Sequence, residues 1–166
     1  MNISKFTSNR ISRTSVITLM ASIATVFPLF DPVRESEWAV GWEPIFLDVS
    51  AQDRKIGEHM VFRTHAPHGH DEIDYVWTIS RYLPNEAFIK YTVFTPERLW
   101  WITIQCHEGA SNRVTNAEIT YTFAGLTEKG NAINEKALQL MYAHDLKDWE
   151  KAINHYLLTG EKLSHH

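Results

Sequence analysis

From Thr127 to about Leu158 the sequence has one consistent reading, a helix of about 30 residues with a single apolar stripe, roughly 45 Å long. A rotation of about 100° per residue brings Leu138, Met141, Tyr142, Asp145, Trp149, Ala152, Ile153 and Tyr156 onto that stripe. Thr127, followed by Glu128, suits an N-cap, and Thr159-Gly160 suits a stop. A rod with one apolar side must lie against something large. The only candidate in this chain is the block of strands before it.

That block begins near Ile45. "PIFLDVS" (44–50), "EHMVFRTH" (58–65), "IDYVWTISRYL" (73–83), "EAFIKYTVF" (86–94), "RLWWITIQCHE" (98–108) and "NRVTNAEITYTFAGL" (112–126) are rich in β-branched and aromatic residues. The breaks between them carry Gly, Pro, Asn and Asp, and their shortness favours antiparallel neighbours. Two strands alternate cleanly. Ala117, Ile119, Tyr121 and Phe123 share one face, and Trp100, Ile102, Ile104 and Cys106 oppose Trp101, Thr103, Gln105 and His107. The faces of 73–83 and 86–94 are too mixed to assign. A sheet with one wet face explains the alternation.

Ahead of the sheet lies "TSVITLMASIATVFPLF", uncharged and preceded by Lys5, Arg10 and Arg13. Its seventeen residues, five of them Ser or Thr, fall short of the roughly 20 apolar residues of a spanning helix. An export signal would need small residues at its end, where "VFPLFDPV" is bulky. The better division is a strand over Ser12–Thr18 and a short helix ending near Pro28. A second short helix is opened by Asp31-Pro32. The expected class is therefore α+β: a curved seven-stranded antiparallel sheet around a long C-terminal helix, with two short helices after strand 1. We assign residues 11–163 to one domain, 1–10 to a flexible N-terminal segment and 164–166 to a tail. Such a layout can leave a cavity between helix and sheet.

Charge and motifs narrow the function. The net charge of −4, with acids and bases interleaved, lacks the basic footprint of a nucleic-acid binder. No stable membrane insertion is expected. Cys106 is the only cysteine, which excludes an internal disulfide and a cysteine-based zinc site. It reads as a small apolar strand residue, and a cytoplasmic setting fits. His65, His68, His70 and Asp71 fall in "THAPHGHDEID", a Pro- and Gly-containing hairpin tip more consistent with a solvated loop than with a metal site. No nucleophile elbow, phosphate loop or zinc-protease helix occurs, and no metal or cofactor is implied.

Aromatic residues make up 12% of the chain, and large rings with polar tips are typical pocket linings. Tyr75, Trp77, Tyr91, Trp100 and Tyr121 lie on strands, where core packing and ligand contact are equally compatible with them. Met141 and Trp149 flank Asp145 on the helix stripe. Asp145 is the best catalytic candidate: a carboxylate in an apolar stripe is either a polar handle on a cavity or the sign of a helix bend near His144-Asp145. Arg63, Arg81 and His59 could face an anionic ligand but fit the outer face better.

Phe27-Pro28-Leu29, Pro32, Arg34-Glu35, Trp38 and Gly41-Trp42 resemble a signature of the polyketide cyclase/dehydrase-like branch of the START-related, birch-pollen-allergen-like helix-grip superfamily. "ITYTFAGLTEKGN" (119–131) is similar to that branch's last strand and turn, and "DWEKAINHYLLTGEKL" (148–163) to its helix end. The resemblance spans nearly the whole chain from Ser12. It implies that the two short helices close one end of a cavity, with Trp38 and Trp42 as a plug beside Gly41. It also implies binding of a hydrophobic or aromatic small molecule, lipid or polyketide-like, with Trp38 and Trp42 joining the ligand-binding set. The alternative is a polyketide cyclase/dehydratase-type enzyme using acid/base groups in the same cavity. A third class, an interaction module with rings filling its core, needs no cavity at all.

Overall fold

The computed structural model describes residues 5–47, 55–65, 73–144 and 146–163. Strand β1 (Arg10–Leu19) is followed by a single helical turn, α1 (Ile23–Val26), which runs directly into a 3-10 turn over Phe27–Phe30. A second 3-10 turn covers Arg34–Glu37. Then come β2 (Ile45–Phe46), β3 (Val61–Thr64), β4 (Tyr75–Leu83), β5 (Phe88–Phe94), β6 (Arg98–Glu108) and β7 (Thr115–Gly125). Helices α2 (Glu128–His144) and α3 (Lys147–Thr159) end the fold. The strands form one antiparallel sheet in the order β1-β7-β6-β5-β4-β3-β2. The helix-grip α+β class expected from sequence is the class observed.

The second short helix is set by Asp31, whose carboxylate accepts the backbone N–H groups of Val33 (2.9 Å) and Arg34 (2.6 Å). These are two of the orphan donors that open any helical turn. Gly41 follows at φ +80°, a conformation that glycine adopts without steric penalty.

Three expectations need correction. The expected strand over 44–50 is only Ile45–Phe46 within the described residues, paired at the sheet edge with Arg63 and Phe62. The strand expected from 58 starts at Val61, because His59 takes φ +72° and bends the chain into its contact with Ile79. The C-terminal rod is two helices. Leu146, at φ +55°, breaks it between α2 and α3, and burial of its own side chain holds that left-handed conformation in place. Asp145 lies outside the described residues. The bend proposed as one explanation for Asp145 is nonetheless where it was expected.

The free edge of β1 is covered by side chains from both helices. Thr18 donates its N–H to Glu150 Oε2 (2.8 Å), Met20 donates to Asn154 Oδ1 (2.9 Å), and Asn154 Nδ2 donates to the Thr18 carbonyl (3.0 Å). Further up, Asn131 of α2 accepts from the Asn9 N–H and donates to the Thr7 carbonyl, both at 3.0 Å. This satisfies groups that an edge strand would otherwise offer to a neighbouring chain. It also ties down residues next to, and within, the segment expected to be flexible, since β1 begins at Arg10.

The sheet has the expected wet face. Hydroxyl pairs Thr14–Thr120 (2.8 Å) and Ser12–Thr122 (3.3 Å) form rungs across β1 and β7 on its outer side. On the inner side, Ile17, Leu19, Ile89, Tyr91, Ile102, Ile104, Ala117 and Ile119 are buried. β4 changes parity at a bulge between Ile79 and Arg81. Ahead of it Trp77 and Ile79 face inward. After it Tyr82 does, stacking on Phe27 at 6.2 Å.

Candidate functional site

Between the inner face of the sheet, the 34–42 segment and the start of α3 lies a cavity of about 650 Å³. Trp38, Trp42, Trp77, Tyr91, Tyr121 and Trp149, all expected from sequence as ligand contacts, are part of its wall. A second, more open cavity of about 340 Å³ lies along α2 and takes in Tyr75, Trp100 and Met141, with Tyr121 and Trp149 shared between the two. The rings therefore leave space and do not fill the core. Each expected contact that is described borders one of the two cavities; Asp145 is outside the described residues.

The polar tips of most of these rings are engaged with the protein. Trp38 Nε1 donates to the Leu29 carbonyl (2.7 Å) and Trp42 Nε1 to the Pro32 carbonyl (2.7 Å). Trp77 Nε1 donates to Thr64 Oγ1 (3.0 Å), and Tyr91 donates its hydroxyl to the Phe30 carbonyl (2.6 Å). Such bonds fix each ring and present its apolar body to the cavity. Trp38 and Trp42 do not form one plug. Trp38 meets Trp149 of α3 edge-on at 5.9 Å, while Trp42 meets Trp77 of β4 at 5.3 Å. The two indoles thus brace opposite walls. Replacing Trp42 by Ala should lower stability by about 3 kcal/mol, read as a fall in the denaturation midpoint.

Sequence reasoning missed the most unusual wall residue. Glu35 is only 9% exposed and lines the larger cavity. Its neighbour Arg34 is turned away, forked onto Glu37 (Nε to Oε2, 2.9 Å), and Glu37 in turn accepts from the Tyr156 hydroxyl of α3. The Glu35 backbone is bonded within its turn, but its carboxyl makes no hydrogen bond or ion pair among the described residues. Burial, and secondarily the negative charge of Asp31, hold its carboxyl well above the ordinary carboxylate range. Tyr91 and Tyr121 are raised as well, first by burial and then by the Glu35 charge. A signal existed: Glu35 and Trp38 stand three residues apart in a helical turn and so share a face.

A carboxyl raised in this way adds to stability while it is neutral. That contribution is full below the ordinary carboxylate range and is lost as pH rises through the folded-state value. Glu35→Gln, which cannot ionise, should match the native protein near pH 3.5 and exceed it by about 1–3 kcal/mol near pH 8. Denaturant unfolding at the two pH values measures the gap. A gap that stays constant or shrinks with pH would contradict a buried, unpaired Glu35.

The second overlooked residue is Arg98. Its backbone parity with Trp100, Ile102 and Ile104 places it on the inner face, and it is 2% exposed. The guanidinium lies 4.1 Å from the Trp100 ring centroid and donates to Asn134 Oδ1 (3.1 Å). It borders the second cavity only. Arg63, Arg81 and His59 are exposed, as the outer-face reading expected. Cys106 is buried and its thiol is pushed up to about 12, which suits an inert core residue.

Among the described residues no group of three His, Cys, Asp or Glu could hold a metal ion, and no helix is long and apolar enough to cross a membrane. His65 pairs with Asp74 through Nδ1 at 2.8 Å; His68, His70 and Asp71 lie outside the described residues.

No family model and no curated protein matches the sequence. Solved structures do match the fold. Norcoclaurine synthase from Thalictrum flavum superposes with a TM-score of 0.66 at 10% identity, covering 96% of this chain and 97% of its own. The Zhui aromatase/cyclase from Streptomyces sp. R1128 gives 0.64 at 14% identity, covering 95% and 100%. Ara h 8.0201 gives 0.64 at 12% identity, covering 91% and 99%. At such identities the likeness is one of fold, and it is the helix-grip fold that the sequence resemblance implied.

Proposed function

We propose that this chain binds a hydrophobic or aromatic small molecule in the cavity between the sheet, the 34–42 segment and α3. The observation that carries this reading is the cavity itself, about 650 Å³ within a wall of rings whose polar tips are bonded elsewhere. Pockets for small molecules fall in the range of about 300–1,000 Å³ and combine apolar walls with few polar groups. Here those groups are Glu35 and Tyr121 inside, with Asp148 and Lys151 at the exposed rim. Two of the three fold neighbours, an aromatase/cyclase and a synthase, are in keeping with a small-molecule guest. A cytoplasmic setting is part of this proposal and is compatible with the free thiol of Cys106.

The test is a fluorescence titration with the neutral apolar dye N-phenyl-1-naphthylamine. Saturable uptake at one site, with emission of the buried dye, is the expected result. No uptake would mean that the cavity does not admit a guest.

One observation favours a second reading, an enzyme of the cyclase/dehydratase kind. A carboxyl with a raised pKa that lines the same cavity as a tyrosine hydroxyl is suited to exchanging a proton with a guest. Under that reading Glu35 is the acid/base group, and Glu35→Gln lowers turnover of a poly-β-carbonyl substrate while leaving its affinity within a fewfold. Equal turnover by both proteins would remove it.

A further inference from the structure

Resting on the ligand-binding reading above, we propose that the guest is an organic cation. It would be an aromatic molecule bearing a protonated amine, seated against Glu35 within the rings of Trp38, Trp42, Trp77, Tyr91, Tyr121 and Trp149. Two independent features of the cavity lead there. The first is the presentation of the rings. With the indole N–H groups of Trp38, Trp42 and Trp77 and the hydroxyl of Tyr91 all donated to protein acceptors, what these residues contribute to the cavity wall is ring surface, one face of Trp77 being taken up by Phe62. The face of an aromatic ring carries negative potential and attracts ammonium groups, which is how aromatic cages select cations.

The second is the charge around Glu35. Asp31 on its own segment has the same sign, Tyr91 and Tyr121 of the sheet are neutral, and Arg34 is committed to Glu37. From α3, Asp148 and Lys151 reach the cavity only at its exposed rim. The buried guanidinium of Arg98 borders the other cavity. A buried carboxyl is stable as an anion only beside a cation, and among the described residues the larger cavity is lined by no buried one, Lys151 being exposed. A protonated amine supplies that partner; an anionic guest would meet a carboxyl and π faces of the wrong sign.

The proposal fixes a proton balance. Burial favours the protonated form of Glu35 and an ammonium contact favours the ionised one, so binding shifts the carboxyl towards releasing its proton to solvent as the ion pair forms. Affinity for the amine should therefore rise with pH until the amine itself deprotonates, at about 10 for an alkylammonium.

The experiment is displacement of bound N-phenyl-1-naphthylamine by tryptamine and by tryptophol, which share a skeleton and differ in ammonium against hydroxyl. Tryptamine should displace the dye at roughly tenfold lower concentration or less near neutral pH. That preference should vanish in Glu35→Gln, checked for folding by thermal unfolding, because the ratio is measured within each protein. Calorimetry in phosphate and in Tris, whose ionisation enthalpies differ, should show proton release in the native protein only. Tryptophol displacing the dye as well as tryptamine, or a preference that survives Glu35→Gln, overturns the cationic guest and leaves ligand binding standing. Failure of the native protein to take up the dye overturns both.

Discussion

Gly130→Ala should destabilise this protein by about 3 kcal/mol or more, although alanine is normally the better helix residue by roughly 0.5–1 kcal/mol. Gly130 lies in the first turn of α2, where the helix start is seated on the β5–β6 turn. Leu126 donates its N–H to the Glu97 carbonyl (2.8 Å), and Thr127 bonds Glu97 through its hydroxyl while capping Gly130 N–H (3.0 Å). A Cβ on Gly130 would overlap that same Glu97 carbonyl and come within 3.2 Å of the Arg98 Cβ. Backbone cannot step aside as a flexible side chain can, so α2 must lift from the sheet. At about 2–4 °C per kcal/mol for a chain of this size, the melting temperature should fall by roughly 6–12 °C. An unchanged or higher melting temperature would mean that α2 does not dock as described.

Ala152→Trp should abolish guest binding without unfolding the protein. Ala152 faces the larger cavity from α3, opposite the rings of β4 and β5, and a Trp there places an indole into the space itself. The loss of dye affinity should be at least tenfold, equal to about 1.4 kcal/mol. Stability should hold or rise, because filling a cavity restores contacts its lining lacks and offsets a helix-propensity penalty of roughly half a kcal/mol. Ala152→Leu should fall between the two. A Trp variant that binds the dye as before would place the site elsewhere, and one that fails to fold would mean that the space is too small for a guest.

How much of this was legible depended on whether a local rule held. The middles of β6 and β7 could be read almost residue by residue because their alternation holds over Trp100–His107 and Ala117–Phe123, lapsing only towards the strand ends, where Ala124 and Gly125 are both buried. β4 resisted assignment for a definite reason: the bulge at Ser80 moves the inward face from Trp77 and Ile79 to Tyr82, and no glycine or proline marks it. The break at Leu146 is equally unmarked, since a leucine at positive φ is held by burial and not by local preference. Its cues were the carboxylate of Asp145 within the apolar stripe and the pair Asp148 and Glu150, acids placed as in the first turn of a new helix. The rings that border the two cavities were legible because aromatics on an inward face are cavity lining or core in either case. Glu35 and Arg98 were passed over because charged residues in exposed-looking contexts default to the surface, and only tertiary packing buries them.

Nuclear magnetic resonance of the six tryptophan side chains tests the central claim most directly, because their indole N–H groups report from known places. Trp38, Trp42, Trp77 and Trp149 border the larger cavity, whereas Trp101 lies on the outer face beneath Arg10, whose guanidinium is 5.1 Å from its ring. On titration with N-phenyl-1-naphthylamine the first four signals should shift together and saturate while Trp101 stays fixed. Movement of Trp101 with the other four unchanged, or no movement at all, would contradict a guest held between the sheet and its helices.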